Sequence, residues 1–213
     1  VRVSGAKNSS VALIPAAILS DDVVTICNVP EITDIDALSD ILEYLGADVK
    51  RASESIVIDP KPSVNRPIPT SMAQKLRASY YFMGALLGKY KHVEMSFPGG
   101  CSIGARPINL HLKGFEALGA KITQTDNVYI VHADKLKGAN IYLDIASVGA
   151  TINIMLAAVR AEGVTTIDNA AKEPEIVNVA TFLNNMGAKI SGAGTSAVSY
   201  THLRAHETRG NLV

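Results

Sequence analysis

The pattern of apolar and polar positions along the chain repeats three times. Residues 42–49 (LEYLGADV), 115–122 (FEALGAKI) and 183–190 (LNNMGAKI) each place apolar residues at helical spacing, then a glycine, then a short strand. The three glycines are spaced by 73 and 68 residues and suit the left-handed position that ends a helix. This spacing predicts a repeated structural unit of about 70 residues.

Each copy is preceded by a further strand and a further helix. The predicted strands are residues 23–27, 93–97 and 164–168, and the predicted helices are residues 9–19, 72–87 and 148–159. The order is therefore βαβαββ in three units of about 1–60, 70–133 and 139–195, with a proline-rich connector after the first. One such unit is too small to be stable alone, so we predict a single α/β domain with pseudo-threefold symmetry and a shared helical core.

The end of the chain departs from the repeat. Beyond about Thr195 the sequence is polar and basic and resembles the translated read-through of a sequencing adapter, so we expect residues 196–213 to be a non-native, disordered tail. His202 and His206 have a spacing that could hold a metal on a stable helix, but without a third ligand we predict no metal site. Because the chain opens at Val1 inside a strand-like stretch, we expect the native start to lie upstream.

Composition excludes several classes of protein. The chain has 20 basic and 20 acidic residues, so a general nucleic-acid-binding or membrane-binding surface is not expected. Two cysteines in different contexts indicate neither a disulfide framework nor a metal site, and favour a reducing, cytoplasmic compartment. Residues 11–19 are apolar but too short to span a bilayer, and we predict that they form a buried first helix.

The middle unit contains about three extra residues, within residues 98–107 (PGGCSIGARP). Its glycines allow the backbone to approach a ligand, and Arg106 near Cys101 favours the reactive thiolate. We therefore predict that Cys101 is exposed and functional, whereas Cys27, inside an apolar strand, is a small buried side chain. Pro107 suits the first turn of the following helix, whose free amides favour phosphate.

Three other segments are weaker candidates for anion binding. Lys7 follows Gly5, and Asn8 or Ser9 could cap the helix that begins there. Residues 147–151 (SVGAT) open the corresponding helix of the third unit. Arg77 is predicted to be helical, where an arginine is ordinarily a solvated surface charge.

These motifs together resemble a known family. SGAKNS, LRAS, PGGCSIGARP, SVGAT and EPEIV occur in the order found in UDP-N-acetylglucosamine 1-carboxyvinyltransferases, and the resemblance covers residues 1 to about 195. It implies an inside-out α/β barrel of three βαβαββ repeats, with a second, similar domain absent from this chain. It also implies a cofactor-free reaction that moves the enolpyruvyl group of phosphoenolpyruvate to the 3′-hydroxyl of UDP-N-acetylglucosamine, opening peptidoglycan synthesis.

The resemblance assigns roles to individual residues. Lys7 and Arg106 resemble the phosphate ligands of phosphoenolpyruvate, with Arg77 as a supporting cation, and Cys101 resembles the proton-donating cysteine alkylated by fosfomycin. Asn8 matches a contact of the sugar nucleotide. The uridine and diphosphate contacts are matched by Arg106, Pro107, Ile108, Asn109, Leu110, Ser147, Val148 and Gly149. Asn109 departs from the pattern, since many members carry aspartate there, which puts affinity for uracil in question.

Other functions remain to be weighed. A 5-enolpyruvylshikimate 3-phosphate synthase would have the same fold but typically opens with a PGDKS-like string and has no loop cysteine. An RNA 3′-phosphate cyclase would have a basic surface and a catalytic histidine. A third alternative is a non-catalytic relative that binds the sugar nucleotide. The family's carboxylate base and a further arginine lie in its second domain, so we expect this chain alone to be inactive.

Overall fold

The computed structural model describes residues 5–96 and 108–201, except the side chains of Tyr200 and Thr201. The first unit consists of α1 (Lys7–Ala16), β1 (Val24–Cys27), α2 (Thr33–Tyr44), β2 (Asp48–Ala52) and β3 (Ser55–Asp59). The second consists of α3 (Thr70–Ala73), α4 (Tyr81–Tyr90), β4 (His92–Ser96), α5 (Asn109–Ala117), β5 (Lys121–Thr125) and β6 (Val128–His132). The third consists of β7 (Asn140–Tyr142), α6 (Val148–Ala158), β8 (Val164–Asp168), α7 (Pro174–Asn185), β9 (Lys189–Ser191) and β10 (Ala197–Thr201). Short 3₁₀ turns at Ala17–Leu19 and Arg77–Tyr80 follow α1 and precede α4.

Each unit contributes its own small sheet. The strand orders are β1-β3-β2, β4-β6-β5 and β7-β8-β10-β9, so in every unit the last two strands form a hairpin that lies antiparallel beside β1, β4 or β8. In the third unit β7 adds a parallel strand to the free edge of β8, and in the second this strand is reduced to one parallel bridge between Ile68 and Met95. The corresponding position in the first unit falls on residues 1–4, outside the described residues.

The repeated glycines end the second helix of each unit as predicted. Gly46, Gly119 and Gly187 have φ values of 95°, 92° and 97°, a left-handed conformation that side chains bearing a Cβ rarely adopt. Asn28 and Asn169 also have positive φ (56° and 55°) directly after β1 and β8. Asparagine tolerates this conformation better than most residues, so the same turn is built twice.

The core lies among the first helices of the three units. Residues 81–88 of α4 and 150–158 of α6 are buried on every side, as expected for helices surrounded by protein. Gly84 and Gly88 allow close approach, since a Cβ at either would lie within 2.6 Å of the α6 backbone. The three sheets and the second helices enclose this bundle, which confirms the predicted α/β architecture of three units sharing one core.

The predicted helix over residues 72–87 is wrong in its centre. The chain forms α3, then an extended Leu76 (φ −146°, ψ 131°), then the 3₁₀ turn and α4. The Ser79 hydroxyl donates to the carbonyl of Ala73 at 2.7 Å, replacing the helical bond that this carbonyl would otherwise accept. A side chain thus stabilises the break in a segment whose apolar spacing is helical throughout.

Two further expectations need correction. Cys27 is exposed, because alternation along β1 buries Val24 and Ile26 and turns Cys27 outward. Residues 197–201 form β10, with Val198 fully buried against β8, in the position that the repeat predicts for the last strand. Disorder from residue 196 therefore does not hold for this strand, while the adapter origin of the tail stays a prediction and residues 202–213 lie outside the described residues.

Candidate active site

The inner helices α1, α4 and α6 lie side by side and point in the same direction. At their C-terminal ends, Arg160 follows α6 and its Nη2 donates to the carbonyl of Leu19 at 2.6 Å. Lys89, in the last turn of α4, donates to the carbonyl of Ser20 at 3.2 Å. We call this end of the bundle the C-terminal pole. The first turns of the same three helices therefore meet at the opposite end, the N-terminal pole.

Lys7 and Asn8 form the first turn of α1. The Lys7 ammonium lies 2.6 Å from a carboxylate oxygen of Asp34, and its side chain is 58% exposed. Asn8 donates to the carboxylate of Glu175 at 3.2 Å. The predicted cap is wrong, since Ala6 occupies that position and no side chain bonds to the helix end. Lys7 thus lies at the N-terminal pole in a largely exposed ion pair with Asp34, a kind of pair that contributes little to stability.

Arg77 lies in the 3₁₀ turn before α4, beside two aromatic rings. Its guanidinium carbon is 5.8 Å from the centre of the Tyr80 ring, and that ring meets the His111 ring edge-on at 4.9 Å. His111 is only 5% exposed. Burial first, and then the positive charge of Arg77, lower the pKa of His111 to about 3. The imidazole is therefore neutral at pH 7, and the positive charge of this corner belongs to Arg77.

The predicted sugar-nucleotide residues meet in the same corner. Ser147 caps α6, its hydroxyl accepting from the Ala150 amide at 3.3 Å. Gly149 follows in the first turn, where a Cβ would lie 2.7 Å from the Tyr80 hydroxyl and 3.2 Å from Cε1 of His111. Glycine thus allows the close approach of α6 to these rings, which a larger residue would displace.

The segment that opens α5 joins the same corner. Ile108 is buried at the helix start, Asn109 is exposed and Leu110 is half-buried. His111 follows directly and anchors the turn against α6. The structure therefore brings residues 108–110 and 147–149 together with Arg77.

Glu175 links the α1 residues to this corner. Besides accepting from Asn8, its charge raises the pKa of Tyr81, after the larger effects of burial and of Tyr80. The rings of Tyr80 and Tyr81 are 4.6 Å apart. Contacts therefore join Asn8 to Glu175 and Tyr81 through Tyr80 to His111, and the charge of Glu175 acts on Tyr81 between the two groups. Three aligned helix dipoles add positive potential to that of Lys7 and Arg77, which suits an anionic ligand.

Comparison with known proteins assigns the family. The family model for EPSP synthase (3-phosphoshikimate 1-carboxyvinyltransferase) matches residues 1–211. The chain belongs to the EPSP synthase family. Within it, curated relatives named UDP-N-acetylglucosamine 1-carboxyvinyltransferase 2 include those of Oceanobacillus iheyensis, 59% identical over 198 residues, and Bacillus subtilis, 56% identical over 198 residues. Each of these alignments covers 93% of this chain and 46% of the relative, so the chain spans about half the length of the curated relatives it matches.

Solved structures of the EPSP synthase family share the fold. The enolpyruvyl transferase NikO from Streptomyces tendae has a TM-score of 0.85 at 22% identity, over 98% of this chain and 49% of that chain. EPSP synthase from Acinetobacter baumannii has a TM-score of 0.74 at 21% identity, over 95% of this chain and 46% of that chain. At these identities the likeness concerns the fold alone, and it confirms the fold class inferred from the repeats.

Three predicted site residues of this family member, Cys101, Arg106 and Pro107, lie outside the described residues. The segment that contains them follows β4, which ends at Ser96, and precedes Ile108, at the start of α5. Its two ends are thus attached to the second unit, and the end at Ile108 adjoins His111. The predicted roles of these three residues stay predictions.

Sequence reasoning missed four residues that build the site: Glu175, Tyr80, His111 and Asn153. Asn153 was recognisable as the one asparagine in an otherwise apolar helix, and Glu175 lies in the EPEIV motif. Tyr80 and His111 carry no local signal, because their importance comes from packing between units.

Among residues 5–96 and 108–201, no group of three or more His, Cys, Asp or Glu side chains could hold a metal ion, and no helix is long and apolar enough to cross a membrane.

Proposed function

We propose that this chain is one domain of an enzyme that transfers the enolpyruvyl group of phosphoenolpyruvate to the 3′-hydroxyl of UDP-N-acetylglucosamine. The observation that carries the proposal is the identity of 56–59% with curated relatives of that name along nearly the whole chain. The structures of EPSP synthase itself are only about 21% identical, so they favour no shikimate substrate. The reaction would serve peptidoglycan synthesis in the cytoplasm, and through it cell shape and division.

The chemistry requires an anion site, a proton donor and a base. A C–O bond forms between the sugar 3′-oxygen and C2 of phosphoenolpyruvate while the base takes the hydroxyl proton and the proton donor adds a proton to C3, giving a tetrahedral ketal. Loss of a proton from C3 and cleavage of the C–O bond to phosphate then give the enol ether and inorganic phosphate. Cations at the phosphate stabilise both steps.

Residues of this chain would supply the first two requirements. Lys7 and Arg106 bind the phosphate, with Arg77 nearby, and Cys101 donates the proton. Asn8 and residues 106–110 and 147–149 bind the sugar nucleotide. The geometry of Lys7 and Arg77, both at the start of inner helices, supports these roles. The base and a further arginine belong to the second domain of the proposed enzyme.

Fosfomycin labelling tests the proposed site. Because Cys27 is exposed, the experiment uses Cys27→Ser so that only Cys101 can react, with the adduct located by peptide mass spectrometry. We expect labelling of Cys101, slowed at least about tenfold by Lys7→Met because a charge-assisted contact is lost. Lys61→Met, which removes an exposed pair with Asp22, is the matched control and should leave the rate unchanged. If Lys7→Met leaves the rate of Cys101 labelling unchanged, the proposed anion site is contradicted.

A turnover measurement tests whether the catalytic base lies in the second domain of the proposed enzyme. Phosphate release from phosphoenolpyruvate and UDP-N-acetylglucosamine is expected to be absent with this chain alone. Phosphate release by the 213-residue chain at a rate typical of an enzyme would refute the idea that the base lies elsewhere.

A further inference from the structure

The amide of Asn153 connects three elements at the N-terminal pole. Asn153 lies in α6 and is fully buried. Its Oδ1 accepts from the Gly84 amide at 2.7 Å, and its Nδ2 donates to the Tyr80 carbonyl at 2.9 Å. The same Nδ2 lies 2.9 Å from Nδ1 of His111. One side chain thus bonds to α4, to the 3₁₀ turn before it and to α5.

Two of these bonds are made at the start of α4. Tyr80 and Gly84 are four residues apart, one helical turn, and the Asn153 amide bonds to the carbonyl of the first and to the amide of the second. A Cβ at Gly84 would lie 2.2 Å from the Asn153 carbonyl oxygen and 2.3 Å from Oδ1, so this close contact requires glycine. The joint that carries Arg77 and Tyr80 is therefore held by α6.

The same bonds determine the protonation state of His111. The Gly84 amide can only donate and the Tyr80 carbonyl can only accept, so the orientation of the Asn153 amide is fixed. Its NH₂ group therefore faces Nδ1 of His111, which must accept. The proton of the neutral imidazole accordingly lies on Nε2.

We propose that Asn153 is a positioning residue: it holds His111 as a neutral Nε2–H imidazole and fixes the Arg77–Tyr80 turn in the geometry that binds the sugar nucleotide. The binding part of this inference rests on the proposed function. Its basis is that Tyr80 and His111, both held by Asn153, are the two side chains that contact Gly149 and flank Arg77. A change at Asn153 would therefore act on ligand binding without touching the ligand.

The test is Asn153→Asp, which keeps the shape and the acceptor for Gly84 but removes both donated bonds. A carboxylate beside Nδ1 attracts a proton, so the His111 proton should move from Nε2 to Nδ1, as read from the long-range ¹H–¹⁵N spectrum of the imidazole. Affinity for UDP-N-acetylglucosamine, measured by calorimetry, should fall about tenfold, the factor expected for one lost hydrogen bond of ordinary strength. Assignment uses His111→Gln, which removes the signal.

Asn184→Asp is the matched control. Asn184 also bridges backbone groups, accepting from Ile190 at 2.7 Å and donating to its carbonyl at 2.9 Å, but it lies at the end of α7. We expect it to lower stability while leaving both the imidazole spectrum and the affinity unchanged. An equal loss of affinity in both variants would overturn the proposal, since Asn153 would then have only a structural role.

Failure of this proposal is distinguishable from failure of the proposed function. An Nδ1–H imidazole in the unaltered chain at pH 7 overturns the role of Asn153, whether or not any nucleotide binds. If the unaltered chain binds no UDP-N-acetylglucosamine, the proposed sugar-nucleotide site is refuted, and with it the binding part of the inference. Should Asn153→Asp not fold, the spectrum of the unaltered chain decides: Nε2–H supports the positioning of His111 and Nδ1–H refutes it.

Discussion

At the scale of single residues, His111 couples the stability of the chain to pH. Burial and the neighbouring Arg77 lower its pKa in the folded state to about 3, whereas an unfolded chain has a histidine pKa of about 6.5. The unfolded state therefore takes up a proton first as the pH falls. The contribution of the neutral imidazole to stability is complete above about pH 6.5 and is lost progressively toward pH 3.

This gives a prediction for His111→Gln. In the unaltered chain, His111 should lower the free energy of unfolding by about 1.4 kcal/mol per pH unit below about pH 6.5. Because glutamine does not titrate, the variant should lack this component, and the difference between the two chains should shrink as the pH falls. Urea unfolding of both chains between pH 7 and pH 4 measures it. Parallel pH profiles would show that His111 is not protected from protonation in the fold.

Some residues of the site are predictable from sequence and others are not. Lys7, Arg77 and Ser147 stand out because charge, glycine and capping chemistry are visible locally. The exposure of Cys27 follows from the alternation along β1, in which the polar Thr25 lies on the same face, so it too could have been predicted locally. Asn153 acts on Tyr80 and His111, which lie 73 and 42 residues away in the chain. Contacts at that separation have no signature in a local pattern.

At the scale of elements, β10 completes the third unit. It lies between β8 and β9, with Val198 opposite Ile167 and fully buried. Without it β9 would have no strand partner among the described residues. The strand is therefore part of the sheet, whatever the origin of the residues that form it.

Val198→Asp tests this strand. An unpaired carboxylate in the buried centre of the sheet should lower the free energy of unfolding by about 3 kcal/mol or more. Ala197→Asn, at the exposed neighbouring position opposite Asp168, is the control: it adds a polar side chain without a like charge and should change the free energy of unfolding by less than about 0.5 kcal/mol. Chemical unfolding followed by circular dichroism compares the two. Similar small effects at both positions would indicate that β10 is not stably paired.

Elements defined by local chemistry were predictable, and those decided by other units were not. The glycine that ends each second helix and the strand that follows it form a local signal, which is why three copies could be recognised. The segment from Met72 to Leu87 has helical spacing throughout, yet it is broken at Leu76. The bond that stabilises the break comes from the Ser79 side chain, and Asn153 on another helix bonds to the Tyr80 carbonyl after it, so helical spacing alone could not predict it.

At the scale of the whole molecule, the C-terminal pole carries the cations that balance the helix ends. Arg160 donates to the carbonyl of Leu19 and pairs with Asp21 at 3.2 Å. Burial, and then the positive charge of Arg160, lower the pKa of Lys91, which caps α4 through the carbonyl of Gly88. Cations at this end neutralise the partial negative charges of three parallel helices. The sequence of one helix does not show in which direction it packs against the other two. The sequence therefore predicted the three units but not that their inner helices are parallel.

Arg160→Met tests the role of the C-terminal pole. Loss of the charged bond to Leu19 should lower the free energy of unfolding by about 2 kcal/mol. The pKa of Lys91 should rise toward its ordinary value, because a neighbouring positive charge is gone. Thermal unfolding and NMR titration of the lysine measure these effects, with the exposed Lys61→Met as a control that should leave the unfolding midpoint unchanged. An unchanged pKa of Lys91 would contradict the proximity of the two cations.

The parallel arrangement of α1, α4 and α6 has a consequence for how the molecule meets its surroundings. A chain with equal numbers of acidic and basic residues has almost no net electrostatic attraction for a distant ion, so strong non-specific binding of polyanions is not expected. At short range, however, the aligned starts of α1, α4 and α6 keep a partial positive charge while cations offset the opposite ends of these helices, so a small anion diffusing nearby is attracted to the N-terminal pole. The orientation of the helices, more than the net charge of the chain, then determines where a phosphorylated metabolite binds.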